Sequence, residues 1–285
     1  MRNLIITILI TGFLLGGCSN PVDNSPNVFP SEQDVVVGTV GTECSGCPLV
    51  GQWYRFDTLA LSQLDNKDHK VTEVLNPVWA NDIALLELNI MFEVVEVTPT
   101  AVVFRAINAA RIGTEGEMCL LRDTEISVTM NREGCKLTSS EPSEMNIYAG
   151  TQDHPKTCVT TGGPNTIHVQ GVILQSEFTE DCGKAINGEI LEGLLPKADL
   201  DSTCSCITTG NTLSDEGCQT PDPNYEDENC GGCNKGFVGL NTYLKAFGTL
   251  DYLCPTSASE PGVCLSGSFS MARFDTDLLP DCASP

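Results

Sequence analysis

Basic side chains are scarce in this chain: 15 Lys and Arg residues stand against 38 Asp and Glu residues, which leaves a net charge of −23. The few basic residues form no cluster along the sequence. A surface this acidic repels phosphate backbones and anionic lipid headgroups. We therefore expect no nucleic-acid partner.

Long apolar runs are missing beyond the first 17 residues. The strongest remaining run, residues 84–97, is interrupted by Glu87, Asn89, Glu93 and Glu96. Such interruption is typical of a half-buried strand and excludes a membrane-spanning helix there. The chain beyond residue 43 has about 240 residues, enough for one large β domain or two modest ones, each with its own core.

Familiar catalytic motifs are also missing. The chain contains no Gly-x-Ser-x-Gly and no His-Glu-x-x-His, and its three histidines, His69, His154 and His168, lie in no recognised frame. His168, beside Gln170 on a predicted strand, could serve as a base, although a lone strand histidine is usually an exposed face residue. The sequence therefore favours a non-catalytic protein without a bound cofactor.

The amino-terminal segment indicates export. Residues 4–15 are apolar, follow a basic Arg2 and are too short to span a membrane, which is typical of a secretory signal. The segment ends in Leu15-Gly16-Gly17-Cys18. This ending resembles the lipobox of bacterial lipoproteins, and the resemblance implies cleavage before Cys18 and a diacylglyceryl group on its sulfur.

The lipobox resemblance also implies a location. Each buried methylene contributes about 0.8 kcal/mol to membrane binding, so two or three acyl chains would hold the protein on a membrane. Ser19 stands where, in the enterobacterial sorting rule of this family, an Asp would retain the protein at the inner membrane. We expect residues 1–17 to be a signal peptide, residues 18–43 a flexible tether from Cys18, and the protein to lie in the cell envelope at the outer membrane, facing the periplasm or the exterior.

Cleavage before Cys18 would leave 14 basic and 38 acidic side chains, a net charge near −24. Fourteen cysteines would remain for pairing in an oxidising compartment, where seven structural disulfides are the expectation. Their pairing cannot be read from the sequence. The fourteen are Cys44, Cys47, Cys119, Cys135, Cys158, Cys182, Cys204, Cys206, Cys218, Cys230, Cys233, Cys254, Cys264 and Cys282.

Alternating apolar residues predict antiparallel strands over much of the chain. The fold class we expect is mainly β, an antiparallel sandwich or barrel with two or three short helices. The predicted strands cover residues 53–62, 88–97, 101–111, 126–131, 135–138, 145–148, 167–178 and 263–273. Gly171 is expected to mark a bulge. We place a β domain at 44–200 and a Cys-rich C-terminal part, with one helix and one strand, at 201–285.

Three segments have helical spacing. Asn76-Pro77 predicts a helix start, with Asn at the N-cap and Pro at the first helical position. Residues 186–195 place their apolar side chains on one helical face before Pro196. Residues 237–247 show the same period and end at Gly248, a residue typical of a C-terminal cap.

Two Cys-x-x-Cys pairs, Cys44-Ser-Gly-Cys47 and Cys230-Gly-Gly-Cys233, allow a zinc, a redox or a structural interpretation. Zinc ribbons place their pairs about 15–20 residues apart, whereas these pairs lie far apart. The second pair precedes a predicted helix, whose N-terminus lowers a thiol pKa, but neighbouring acidic residues disfavour the thiolate. Structural disulfides are the favoured interpretation, and no metal is expected here.

An acidic loop offers a second possible cation site. Asp222, Asn224, Glu226 and Glu228 alternate along the chain. The EF-hand pattern fails because Asp227 replaces its glycine and Cys233 replaces its bidentate glutamate. A solvated acidic loop is the favoured interpretation.

The first long strand opens with Gly51-Gln52-Trp53-Tyr54. This start is similar to the Gly-x-Trp motif of lipocalins, and the resemblance implies an eight-stranded barrel that carries a small apolar ligand. The helix at Pro77 is misplaced for that family. The alternative for Trp53 is a core residue that closes one end of a β domain.

Together these patterns predict an exported, lipid-anchored protein whose role is binding or scaffolding. Its expected partners are the membrane, reached through the lipid, and a protein or small molecule that the sequence does not identify. A lipocalin-like carrier and a secreted hydrolase or thiol oxidoreductase remain alternatives.

Overall fold

The fold is mainly β, as predicted. The structure, a computed structural model, describes residue 44 and residues 46–113, 116–160, 164–205, 238–254, 260–274 and 279–282. Its strands are β1 (Trp53–Leu64), β2 (Ile90–Val97), β3 (Ala101–Ile112), β4 (Glu117–Glu133), β5 (Lys136–Ser139), β6 (Ser143–Ile147), β7 (Thr157–Val159), β8 (Ile167–Phe178), β9 (Lys184–Pro196), β10 (Thr203–Ser205), β11 (Val238–Gly239) and β12 (Gly262–Phe274).

Three short helices accompany the strands: α1 (Val71–Ala84), α2 (Lys197–Ser202) and α3 (Leu240–Ala246). In the part of the chain that the structure describes, none of them is long and apolar enough to cross a membrane.

Eight strands close into an antiparallel barrel in the order β1, β2, β3, β4, β5, β8, β9 and β12, and β12 pairs with β1. Strands that follow one another in this list are neighbours, so the barrel is of the up-and-down kind. Strand β6 extends β5 along the same edge of β8. A separate three-stranded sheet holds β7, β10 and β11.

The C-terminal part of the chain completes the barrel. Strand β12 lies between β1 and β9, and Gly41–Pro285 form one compact unit. Residues on both sides of position 201, where the sequence places a boundary, therefore contribute strands to the same barrel. The barrel can close only when β12, its eighth strand, pairs with both β1 and β9, and β12 lies beyond residue 201.

Alternation along the strands places the core inside the barrel. Tyr54 and Phe56 of β1 are fully buried, and Phe269 and Met271 of β12 are buried between exposed or half-buried serines. Helices α1 and α3 cover the barrel end where β1 finishes and β12 begins, because Trp79 and Leu244 pack there against these strands.

Several sequence predictions are confirmed closely. Strand β8 has the predicted bounds, and the β2–β3 hairpin turns at residues 98–100 as expected. Gly171 has a left-handed φ of 62°, and the β8 ladders shift register beside it, so the predicted bulge is present.

The helix predicted at residues 186–195 is wrong, because this segment is strand β9. Its pairing with β8 and β12 outweighs the local helical pattern. Gly188 fits this pairing: a Cβ there would lie 2.5 Å from the Phe269 carbonyl oxygen and 2.7 Å from the Phe269 ring. Ile186 and Leu191, expected on a buried face, point outward and are 37% and 42% exposed.

The start predicted for the first helix is also wrong. Helix α1 begins at Val71 and contains Pro77 in its interior. Asn76 does not cap it: its side chain accepts a hydrogen bond from the Leu61 amide (2.8 Å) and donates one to the Leu61 carbonyl (2.9 Å). This contact with β1 fixes the helix against the barrel. The third helix is present but shorter than predicted, and Gly248 lies just beyond its C-cap, Phe247.

Candidate functional site

Aromatic side chains fill the barrel interior. Phe56 stacks between Phe92 and Phe269, with ring centroids 5.3 and 4.9 Å away, and Phe104 meets Phe92 edge to face at 6.0 Å. All four rings are buried, with at most 4% of each exposed. These contacts leave the central lumen occupied by the protein's own side chains.

One apolar cavity remains at the end covered by α1 and α3. It measures about 30 Å³, and its walls include Leu61, Trp79, Leu195, Leu244 and Leu265. A space of this size holds one or two water molecules, whereas pockets for small ligands measure roughly 300–1,000 Å³. This cavity is too small for a lipid.

A larger depression of about 250 Å³ lies on the outer side of the barrel wall, between the ends of β9 and β12. We call it the β9–β12 pocket. The ladder between these strands is interrupted between the pairs Ile190–Gly267 and Leu194–Cys264. Three residues of β9 therefore face two of β12, and the irregularity opens the wall locally.

The β9–β12 pocket combines apolar and polar groups. Leu265 and the Cys254–Cys264 disulfide supply apolar surface, and Leu191 stands exposed at its edge. Its polar groups are the side chains of Gln63, Asn66, Glu192 and Ser266. Leu265 borders both this pocket and the interior cavity.

The two cysteines of the first Cys-x-x-Cys motif bond to different partners. Cys44 pairs with Cys135 and Cys47 pairs with Cys182, so the motif joins two remote parts of the barrel. The sulfur atoms of Cys44, Cys47 and Cys182 lie within 4.8 Å of one another. Since each sulfur is already bonded, the oxidised site offers no thiolate for zinc.

The structure contains further disulfides. Cys119 bonds to Cys282, which fastens the C-terminal segment to β4, and Cys254 bonds to Cys264. Cys158 of β7 and Cys204 of β10 are each disulfide-bonded as well. The disulfide-rich character predicted from the sequence is confirmed. Outside the described residues lie Cys18, Cys206, Cys218, Cys230, Cys233 and the acidic loop residues Asp222, Asn224, Glu226 and Glu228.

The histidines occupy three different settings. His168 is half-buried on β8, with Nδ1 3.0 Å from Asp199 Oδ2 and Nε2 3.6 Å from Glu144 Oε2. His69 is buried before α1, where its Nδ1 accepts a hydrogen bond from the Val71 amide (3.3 Å). His154 lies in the loop before β7. An Asp–His pair orients an imidazole, but the contacts of His168 include no hydroxyl or thiol nucleophile among the described residues.

Trp53 lies in an apolar cluster outside the barrel lumen, and its neighbour Tyr54 faces the interior. Tyr54 points inward and is fully buried, and its hydroxyl donates to the Cys182 carbonyl at 2.9 Å. Trp53 is half-buried on the other face of β1, where it packs beside Met91 and Phe274 in a second apolar cluster. The strand period explains this, because neighbouring residues of a strand point to opposite faces.

Four charged side chains form a half-buried group beside the end of α1. Lys156 Nζ lies 2.7 Å from Asp82 Oδ1 and 2.7 Å from Glu87 Oε2, and Arg111 lies 2.7 Å from the other Glu87 oxygen. Burial raises the pKa of Asp82 despite the opposing effect of Lys156. For Lys156, burial lowers the pKa, but its hydrogen bonds to the two carboxylates outweigh this and the net shift is upward. The charges balance, which indicates a structural contact between α1 and the loop before β7.

Comparison with known proteins gives no relative. No protein-family model, curated protein or solved structure matches this chain.

Proposed function

We propose that this protein is an exported, non-catalytic binding protein of the cell envelope, anchored at the outer membrane through a lipid on Cys18. Its binding surface is the outside of the barrel, not the lumen. The lipobox resemblance of the sequence supports the anchor, and the disulfides support an oxidising compartment. The resemblance covers only the first 18 residues.

The observation that carries the proposal is the filled interior. Stacked phenylalanines occupy the lumen, and the remaining interior cavity of about 30 Å³ is far smaller than a ligand pocket. The outer β9–β12 pocket is about eight times larger. Recognition on the outside needs no rearrangement of the core, whereas a carrier function requires that α1 and α3 move away from the barrel end.

The up-and-down barrel itself favours a second candidate function, a carrier of a small apolar ligand. Its ligand would enter the end covered by α1 and α3, beside Trp79. The chain has two tryptophans, and Trp53 lies outside the barrel. Replacing Trp53 therefore leaves Trp79 as the only indole and as a reporter of the cavity.

We expect the Trp53→Phe variant to show no saturable change in Trp79 fluorescence when decanoate is added, because the closed end has no room for it. A matched variant, Trp53→Phe with Leu244→Ala, removes a buried side chain from the cavity wall. It should accept benzene and report it through Trp79, since enlarged apolar cavities take up small apolar molecules. A saturable response to decanoate in the first variant would favour the carrier over our proposal.

A further inference from the structure

The β9–β12 pocket carries an unpaired negative charge. Glu192 lines it, and no basic side chain that the structure describes forms an ion pair with this carboxylate. Lys67, next to the pocket residue Asn66, is held by Asp65 at 3.1 Å and Asp251 at 2.9 Å. The carboxylate of Glu192 is therefore available to a cation from solution, and the net charge of −23 raises the local concentration of cations.

The rest of the pocket suits a short hydrocarbon chain. Leu265, the Cys254–Cys264 disulfide and the outward-pointing Leu191 offer apolar surface. Leu253, beside the disulfide, is 79% exposed. A molecule that covers these groups removes apolar area from water, which favours binding by about 25 cal/mol per Å².

Size and polar groups narrow the occupant further. The pocket volume of about 250 Å³ lies near the lower end of the roughly 300–1,000 Å³ that pockets for small ligands span, so the occupant must be a small molecule. An ammonium group donates three hydrogen bonds, and three of the lining residues, Gln63, Glu192 and Ser266, have side-chain oxygens that can accept them.

We propose that the β9–β12 pocket binds a small amphipathic cation, an ammonium group on an alkyl chain of about six to eight carbons. Glu192 is the counter-charge, and Leu191, Leu265 and the disulfide contact the chain. The inference rests on the proposed function, because it names the class of ligand for binding on the outer surface.

The test is calorimetric titration of the oxidised full mature chain with hexylammonium, hexanol and hexanoate. We expect saturable binding of hexylammonium only, because hexanol lacks the charge and hexanoate is repelled by Glu192. Glu192→Gln should weaken hexylammonium binding by up to about fivefold, because a pair formed with a solvent-exposed carboxylate contributes at most about 1 kcal/mol.

The control is Glu189→Gln, which removes an exposed carboxylate from the same strand. Glu189 accepts a hydrogen bond from Gln175 at 2.6 Å and is not part of the pocket lining. This variant should bind hexylammonium as the wild type does. Leu191→Ser should weaken the binding of octylammonium more than that of butylammonium, because only the longer chain reaches the apolar edge.

If Glu192→Gln and Glu189→Gln weaken hexylammonium binding equally, the attraction comes from the net negative charge of the protein. That result would overturn the proposed site. Absence of saturable hexylammonium binding, or hexanoate binding of equal strength, would overturn the ligand class. Neither outcome involves a change in Trp79 fluorescence, so the proposed binding on the outer surface would still stand. Failure of the proposed function has a different signature, a saturable decanoate response of Trp79 whatever residue stands at position 192.

Discussion

Lys156→Met is expected to lower the free energy of unfolding by about 3–5 kcal/mol at pH 7.5. Asp82 is only 2% exposed and its only ionic partner among the described residues is Lys156, so the substitution leaves a buried carboxylate without its counter-charge. Methionine keeps the length and apolar volume of the lysine stem, which limits the effect to the charge. Denaturant unfolding of the oxidised protein measures the change.

The pH dependence provides a sharper version of this test. Burial already raises the pKa of Asp82, and loss of Lys156 must raise it further. A carboxyl group with a raised pKa in the folded state favours folding when protonated and disfavours it as pH rises through that pKa. The loss of unfolding free energy caused by Lys156→Met should therefore be smaller at pH 4 than at pH 7.5.

Two variants serve as controls for the buried charge. Lys184→Met removes an exposed lysine 3.8 Å from Asp57 and should change stability by less than about 1 kcal/mol. Asp82→Asn combined with Lys156→Met removes both members of the pair and should recover part of the loss. A deficit that is independent of pH and of Asp82 would show that the lysine stem, not its charge, stabilises this region.

Loss of the lipid is expected to release the protein from the membrane. We would replace residues 1–17 with a plain cleavable secretory signal and introduce Cys18→Ser, so that export continues without lipidation. Under the proposed anchoring, the wild type should sediment with outer membranes and this variant should be soluble after export, because two or three acyl chains would supply the membrane affinity. Fractionation with detection of the folded chain measures the distribution.

The position after Cys18 tests the sorting expectation. Ser19→Asp should shift the lipidated protein to the inner membrane if the enterobacterial rule applies, whereas Ser19→Ala should leave it at the outer membrane. Membrane association of the unlipidated variant would contradict the assignment of Cys18 as the anchor.

Several strands were predictable because each buries one face. In β12, serines alternate with Phe269 and Met271, and the period-two pattern predicted its bounds to within a residue. In β9 the same logic failed, because Ile186 and Leu191 are apolar residues that face water. Only the neighbouring strands decide between helix and strand for such a segment, and they lie far away in the sequence.

The candidate site could not be predicted from the sequence. The β9–β12 pocket exists because the ladder between β9 and β12 loses its register between Ile190 and Leu194, an event with no local signature beyond Gly193. Cys254 and Cys264 were expected to form disulfides, but nothing in their spacing predicts that they pair with each other beside Glu192. The pairing of Cys44 with Cys135 instead of Cys47 was equally open.

The central claim is a fully oxidised exported barrel whose interior is filled by its own side chains. Mass spectrometry of the soluble Cys18→Ser chain, purified without reductant, tests it most directly. We predict a denatured mass about 14 Da below the all-thiol value, for seven disulfides among fourteen cysteines, and no hydrocarbon-rich acid or neutral lipid retained in the native spectrum. A smaller deficit with bound zinc, or a retained apolar lipid released on denaturation, would contradict the account.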